Sequence, residues 1–176
     1  MTTAGHDPAE ALQTAIQMEI DGKEFYTKAS QNSSNELGKK LLQTLAEEED
    51  THRLKFEEIY RAIQNKESWP ETDFKPDGGQ RLRTIFSRAI AEISSSVEPP
   101  ATELDAVQTA MGLENKTRDF YLSQAESSTS NVAREFYETV AAEEKEHHLV
   151  LLDYYEYLKD PSGWFVSKEH PSLDGG

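Results

Sequence analysis

The sequence predicts an all-α fold: an antiparallel four-helix bundle made from a duplicated helical hairpin, with a long crossover between the copies. Three observations carry this expectation. Apolar residues recur at steps of three and four through four long segments. The chain repeats itself at an offset of 95 residues without a gap. Polar and proline-containing stretches fall between the periodic segments.

The repeat is explicit. Gln13-Thr14-Ala15 returns as Gln108-Thr109-Ala110, Glu19 as Glu114, and Phe25-Tyr26 as Phe120-Tyr121. Thr44, Ala46, Glu48-Glu49, His52, Leu54 and Tyr60 return as Thr139, Ala141, Glu143-Glu144, His147, Leu149 and Tyr155. Conservative pairs such as Leu12/Val107, Met18/Leu113, Lys23/Arg118 and Leu45/Val140 fill the intervals. Shared helical composition does not produce an ungapped match of this length.

The first helix begins at Asp7-Pro8-Ala9-Glu10, where Asp caps, Pro suits the first helical position and Glu10 completes a capping box. Leu12, Ile16, Glu19, then Gly22 or Lys23, and Tyr26 trace its inward face. The polar run Ser30 to Asn35 breaks it, and Ser33 with Glu36 offers the next capping box. The second helix carries Leu41, Leu45, Glu49, His52, Phe56 and Ile59 on one face and fades near Lys66, so the first hairpin spans 8–66. The crossover, 67–101, runs from Trp69-Pro70 through Gly78-Gly79. It continues through Leu82, Ile85, Phe86, Ala89, Ile90 and Ile93, whose helical spacing predicts a shorter extra helix. Pro99-Pro100 stops it. Thr102 with Asp105 caps a helix through about Glu126. After Ser127 to Asn131, the last helix aligns Phe136, Val140, Glu144, His147, Leu151, Tyr154 and Leu158, and Asp160-Pro161 ends it. The second hairpin is therefore 102–159, and 1–160 form one domain. The segment 161–176, with Trp164, Phe165 and His170, is expected to be an irregular tail, docked or at an interface. Two hairpins joined by one long connection is the ferritin-like topology.

Composition narrows the function. The formal charge of −15 disfavours nucleic acid and anionic membranes as partners, since both require a basic surface. No stretch approaches the about 18 apolar residues of a membrane helix. No secretory signal is visible, so the cytoplasm is the expected compartment. The absence of cysteine excludes disulfides, iron–sulfur clusters, thiolate zinc sites and a thiol nucleophile.

Most of the acidic charge is an ordinary solvated coat, but not the part that recurs on inward faces. Glu49-x-x-His52 and Glu144-x-x-His147 each put a carboxylate and an imidazole on one helix face. Glu19 and Glu114 each add one carboxylate from the other two helices, at the same spacing in both halves. A Glu from each of two helices plus a Glu-x-x-His from each of the others is the di-iron or di-manganese carboxylate pattern. Carboxylate and imidazole suit iron and manganese, and zinc also satisfies the set. Four core-facing glutamates with only two histidines would otherwise leave a repulsive interior, which two divalent cations neutralise. The expected metal ligands are thus Glu19, Glu49, His52, Glu114, Glu144 and His147.

Other polar residues read differently. Tyr26 and Tyr121 lie two turns beyond the single glutamates; they hydrogen-bond a ligand carboxylate, fill the core, or do both. Glu48 and Glu143 are offset by about 100° from their neighbours and are expected to face solvent or a partner subunit. His148 is expected at the surface, as are His6 and His170 in the terminal segments. Lys23 and Arg118, one turn past Glu19 and Glu114, read as ordinary i,i+4 ion pairs.

These motifs resemble the rubrerythrin-like branch of the ferritin superfamily, over Ala9 to about Lys159. The residues that carry the resemblance are Met18-Glu19 with Phe25-Tyr26, Ala46 to His52, Leu113-Glu114 with Phe120-Tyr121, and Ala141 to His147. It implies a non-haem di-iron site that reduces hydrogen peroxide, in which Glu49 and Glu144 bridge the irons, His52 and His147 cap them, and Glu19 and Glu114 are terminal carboxylates. Two departures stand out. The sequence has no cysteine-bearing rubredoxin domain, so an external electron donor, such as a rubredoxin-like protein, is expected. Thr117 stands where many rubrerythrins carry an extra glutamate that exchanges with a histidine. The site is therefore more symmetric, as in a ferroxidase centre. Peroxide or oxygen is the expected oxidant, with a ferroxidase or a non-catalytic metal-binding bundle as alternatives. The resemblance also implies a homodimer, and the crossover is long enough to permit helix exchange.

Overall fold

The computed structural model describes residues 7–92 and 101–164; the side chains of 90–92 lie outside that description. Five helices follow in order: α1 (Pro8–Asn32), α2 (Glu36–Gln64), α3 (Gln80–Glu92), α4 (Ala101–Ser127) and α5 (Asn131–Lys159). Both ends of α5 lie 95 residues beyond those of α2, so the duplication persists in three dimensions. The all-α bundle with a short helix in its crossover is the predicted fold class.

Local chemistry sets the helix ends. The Asp7 carboxylate accepts from the Ala9 N–H at 3.0 Å and Pro8 occupies the first turn, satisfying donors that a helix start leaves orphaned. Ser33 does not cap α2. Asn35 does, its side chain accepting from the Gly38 N–H at 2.6 Å, because the Ser33 hydroxyl is donated to Glu103 at 2.6 Å. α4 is already helical at Ala101, so Thr102 lies within its first turn instead of capping it. Ser130 caps α5. Beyond Asp160 the chain is helical again over 161–164, and Trp164 packs edge-on against Phe86 and Tyr157 at 5.4 and 6.0 Å. Ile93 and Pro99-Pro100, and likewise Phe165, His170 and His6, lie outside the described residues.

The core is divided in two. One apolar cluster gathers Tyr26, Leu41, Leu45, Val107, Ala110, Leu151 and Tyr154. The other gathers Leu12, Ala15, Phe56, Ile59, Tyr121, Ala125, Phe136 and Val140. On every long helix the ionisable candidates fall between residues of the two clusters: Glu19 between Ala15 and Tyr26, Glu49 and His52 between Leu45 and Phe56, Glu114 between Ala110 and Tyr121, Glu144 and His147 between Val140 and Leu151. A charged layer thus crosses the bundle at mid-height, sealed above and below by hydrocarbon.

The same ordering gives the topology. α1 and α5 run from the second cluster to the first, and α2 and α4 run the opposite way. The end of α2 and the start of α4 therefore lie at opposite ends of a bundle whose 29-residue helices are each about 43 Å long. The crossover must retrace that length. Trp69 and Phe74 pack on the second cluster, and Leu82 and Phe86 join the first. α1 packs on α2, α4 on α5, and the hairpins meet through α1 and α4, while α3 lies on α2 and α5. Among the described residues no helix is long and apolar enough to cross a membrane.

Candidate metal centre

Glu19 on α1, Glu49 and His52 on α2, Glu114 on α4, and Glu144 and His147 on α5 converge at the bundle centre, none more than 3% exposed. Their oxygen and nitrogen atoms form two groups of four, each within 4.8 Å: Glu19, Glu49, His52 and Glu144, and Glu49, Glu114, Glu144 and His147. Glu49 and Glu144 belong to both. His52 Nδ1 lies 3.0 Å from Glu144 Oε1 and 3.6 Å from Glu19 Oε2. His147 Nδ1 lies 3.2 Å from Glu49 Oε1, 3.5 Å from Glu114 Oε2 and 3.9 Å from Glu144 Oε2. The two imidazoles stack with centroids 5.6 Å apart and planes 11° from parallel.

Seven atoms of these six residues are buried without a hydrogen-bond partner: Glu19 Oε2, Glu49 Oε1, His52 Nδ1, Glu114 Oε2, both Glu144 oxygens and His147 Nδ1. Buried polar atoms are nearly always hydrogen-bonded, and leaving one without a partner costs about 1–3 kcal/mol. Seven at one locus, all hard oxygen or imidazole nitrogen, fit a pair of divalent cations.

The proton equilibria show the same frustration. Burial, then Glu144, Glu19 and Glu114, push the Glu49 carboxyl well above the usual range. Burial, then Glu114 and Glu19, do the same to Glu144. Burial alone would lower His147, but Glu114, Glu48 and Glu49 outweigh it and hold the imidazole well above its ordinary value. His52 is raised against burial chiefly by Glu19. Glu114 is lowered, His147 outweighing the effect of burial. Without cations, protons must occupy part of the site.

The tyrosines bind across the halves. Tyr26 Oη donates to Glu114 Oε1, and Tyr121 Oη donates to Glu19 Oε1. Each hydroxyl fills one oxygen and leaves the other aimed at the centre. Burial and the neighbouring glutamates push both phenols well above their usual range, so they remain donors.

The layer outside the six differs from the sequence expectation. Glu48 does not turn to solvent; its Oε2 lies 2.8 Å from His147 Nε2 across the bundle. Glu143 is 5% exposed, not at the surface, and accepts from the Gly78 N–H at 3.2 Å. The reason is the crossover, which covers the α2/α5 side and places Phe74 edge-on against His52 at 5.6 Å. Glu143, His52 and His147 form a further buried group within the same 4.8 Å limit. His148 is half-buried, its Nδ1 3.3 Å from the Met111 carbonyl. Lys23 pairs with Asp50 at 2.9 Å instead of Glu19, and Arg118 with Asp119 at 3.3 Å instead of Glu114, because both glutamates point inward. Glu103, which the sequence did not single out, is buried at the start of α4 and accepts from Ser33, Ser34, Asn35 and Tyr154.

On the opposite side, between α1 and α4, a cavity of about 80 Å³ reaches the centre, lined by Gly22, Tyr26, Glu49, Glu114 and Thr117 among others. That is room for a few water-sized molecules. A Cβ on Gly22 would lie 2.6 Å from Glu49 Oε2, so the absent side chain makes space for that carboxylate. The Thr117 hydroxyl donates back to the Leu113 carbonyl at 3.0 Å and supplies no further inward donor.

The Rubrerythrin family model matches residues 10–99, more than half of the chain. The chain belongs to the rubrerythrin family. Members of that family typically bind iron. The match covers the half that contains Glu19, Glu49 and His52; in this rubrerythrin-family chain the internal repeat extends the pattern to Glu114, Glu144 and His147. Among solved structures, "Hypothetical Protein Pfu-1136390-001" from Pyrococcus furiosus is similar in fold, with a TM-score of 0.65 and 22% identity, covering 89% of this chain and 93% of that one. None of the curated proteins matches.

Proposed function

We propose that this protein is a non-haem di-iron oxidoreductase that reduces hydrogen peroxide with an external electron donor: H2O2 + 2H⁺ + 2e⁻ → 2H2O. The observation that carries the reading is the set of seven partnerless buried donor atoms arranged as two overlapping groups of four. In this reading Glu49 and Glu144, common to both groups, would be the residues shared by the two ions. Glu19 with His52 and Glu114 with His147 complete one position each. Bound as a ferrous pair, the irons supply one electron apiece, matching the two that the O–O bond consumes.

The chain's residues do the remaining work. Tyr26 and Tyr121 fix Glu114 and Glu19 so that only one oxygen of each is free. The two apolar clusters exclude bulk water above and below. The cavity at Gly22 and Thr117, of about 80 Å³, has room for a molecule the size of peroxide.

Protein prepared without oxygen is expected to carry two irons per chain by elemental analysis, and stoichiometric peroxide to raise a near-ultraviolet charge-transfer band. Glu144→Ala abolishes that band and lowers bound iron; unchanged spectrum and metal content would remove Glu144 from the ligand set. A ferroxidase is the second reading, favoured by Thr117, whose hydroxyl turns back to its own helix and leaves the two halves alike. Accumulation of many irons per chain would select it. A centre that binds metal but does not respond to peroxide or oxygen would mark a non-catalytic bundle.

A further inference from the structure

The six inward residues obey the pseudo-twofold relation of the repeat, but the shell behind them does not. Glu48 and Glu143 are counterparts across the 95-residue offset. Glu48, 14% exposed at its side chain, reaches from α2 to α5 and sets Oε2 at 2.8 Å from His147 Nε2. With Nε2 engaged there, Nδ1 of that ring is directed at Glu49, Glu114 and Glu144. Glu143 is instead engaged by the crossover through the Gly78 N–H. Among the described residues no carboxylate hydrogen-bonds the outer nitrogen of His52, whose ring is flanked by the edge of Phe74.

We infer that the two metal positions are inequivalent: Glu48 makes the position served by His147 the tighter one, and the position served by His52 fills second. This rests on the di-metal reading proposed above. A carboxylate on the far nitrogen of a ligating histidine fixes its tautomer, holds the ring in place and raises its basicity, and losing such a partner typically costs 10- to 100-fold in metal affinity. His147 has that support at 2.8 Å, whereas Glu143, the outer carboxylate grouped with His52 within 4.8 Å, accepts from the Gly78 N–H and makes no hydrogen bond to the ring. Glu48 is thus a positioning residue, acting through His147. The asymmetry originates in the crossover, which occurs once in a chain whose hairpins occur twice, and whose Gly78 N–H engages Glu143 but not Glu48.

The test is calorimetric titration of the metal-free full-length protein with Co(II), followed in parallel by Co(II) visible absorption. Wild type is expected to show two steps whose dissociation constants differ by about 10- to 100-fold. Glu48→Ala weakens the tighter step by about that factor and merges the two. Glu48→Gln, which keeps an acceptor oxygen at Nε2, restores part of the separation. Glu143→Ala weakens the tighter step less than Glu48→Ala and leaves the two steps separate. Metal-free unfolding temperatures of each variant separate loss of fold from loss of positioning. Two equal steps in wild type, or equal weakening by Glu48→Ala and Glu143→Ala, would overturn the inequivalence while leaving the di-metal reading intact. Failure to bind Co(II) at all would overturn both.

Discussion

Replacing Gly22 by alanine separates two effects that usually travel together. The new methyl would stand 2.6 Å from Glu49 Oε2, whereas ordinary contact begins at 3.4 Å. The carboxylate must retreat by 0.8 Å, beyond the roughly 0.5 Å tolerance of a preorganised site. Glycine inside a helix is itself a liability: alanine there is better by about 0.8–1 kcal/mol. Gly112, exposed on α4 with nothing within 4 Å of an added Cβ, isolates that second effect. Gly112→Ala is therefore expected to raise the melting temperature of the metal-free protein by about 2–4 °C and leave metal affinity unchanged. Gly22→Ala is expected to melt no lower than wild type without metal, because the end of a glutamate side chain can swing aside. Its affinity for Fe(II) or Co(II) falls about 10- to 100-fold, the range seen when a site's geometry is loosened. Calorimetric titration and thermal unfolding of the two variants decide the matter. Wild-type affinity in Gly22→Ala would refute the role assigned to Glu49, and a large loss of metal-free stability would refute the premise that its carboxylate is free to move.

Two further outcomes follow from the proton equilibria. Burial would raise Glu103, but hydrogen bonds from Ser33, Tyr154 and Ser34 outweigh it and hold the carboxyl below its usual range. Its contribution is therefore complete above the unfolded value of about 4.3 and disappears as pH falls through the lower folded value. Glu103→Gln is expected to destabilise by about 1.5–3 kcal/mol at pH 7, with the gap to wild type closing in acid; a gap independent of pH in urea unfolding would contradict this. Glu49, Glu144, His52 and His147 are shifted the other way, so the metal-free protein should lose stability as pH rises from about 5 to 8, a range spanning the ordinary histidine value. Added metal displaces those protons and reverses the trend, as melting curves with and without Co(II) would reveal.

Much of this was readable from the amino-acid order, for a simple reason. Helix geometry converts spacing into direction, so Glu49 and His52, three apart, had to share a face, and the repeat supplied Glu144 and His147 in register. What spacing cannot convey is what lies against the opposite face. Glu48 and Glu143 sit about 100° from Glu49 and Glu144, a position normally left to water, and only the path of the crossover turns that side inward. A signal existed: both are glutamates at matching places in the two copies, as Glu49 and Glu144 are. Glu103 offered no such signal, since its counterpart is Pro8; its burial depends on the α1–α2 turn folding over it. Lys23 meets Asp50 and not Glu19, although i,i+4 spacing favours the latter, because a carboxylate that faces the centre cannot also pair at the surface.

The two overlapping quartets draw on both copies of the hairpin: the first takes Glu19, Glu49 and His52 from one copy and Glu144 from the other, and the second takes Glu49 alone from the first copy. Neither copy by itself can assemble either quartet. Folded separately, each would present anionic groups that repel those of its sibling, so on the di-metal reading proposed above cohesion between the copies and uptake of cations form a single linked equilibrium. On that reading, removing the ions is expected to loosen this seam before the helices on either side melt.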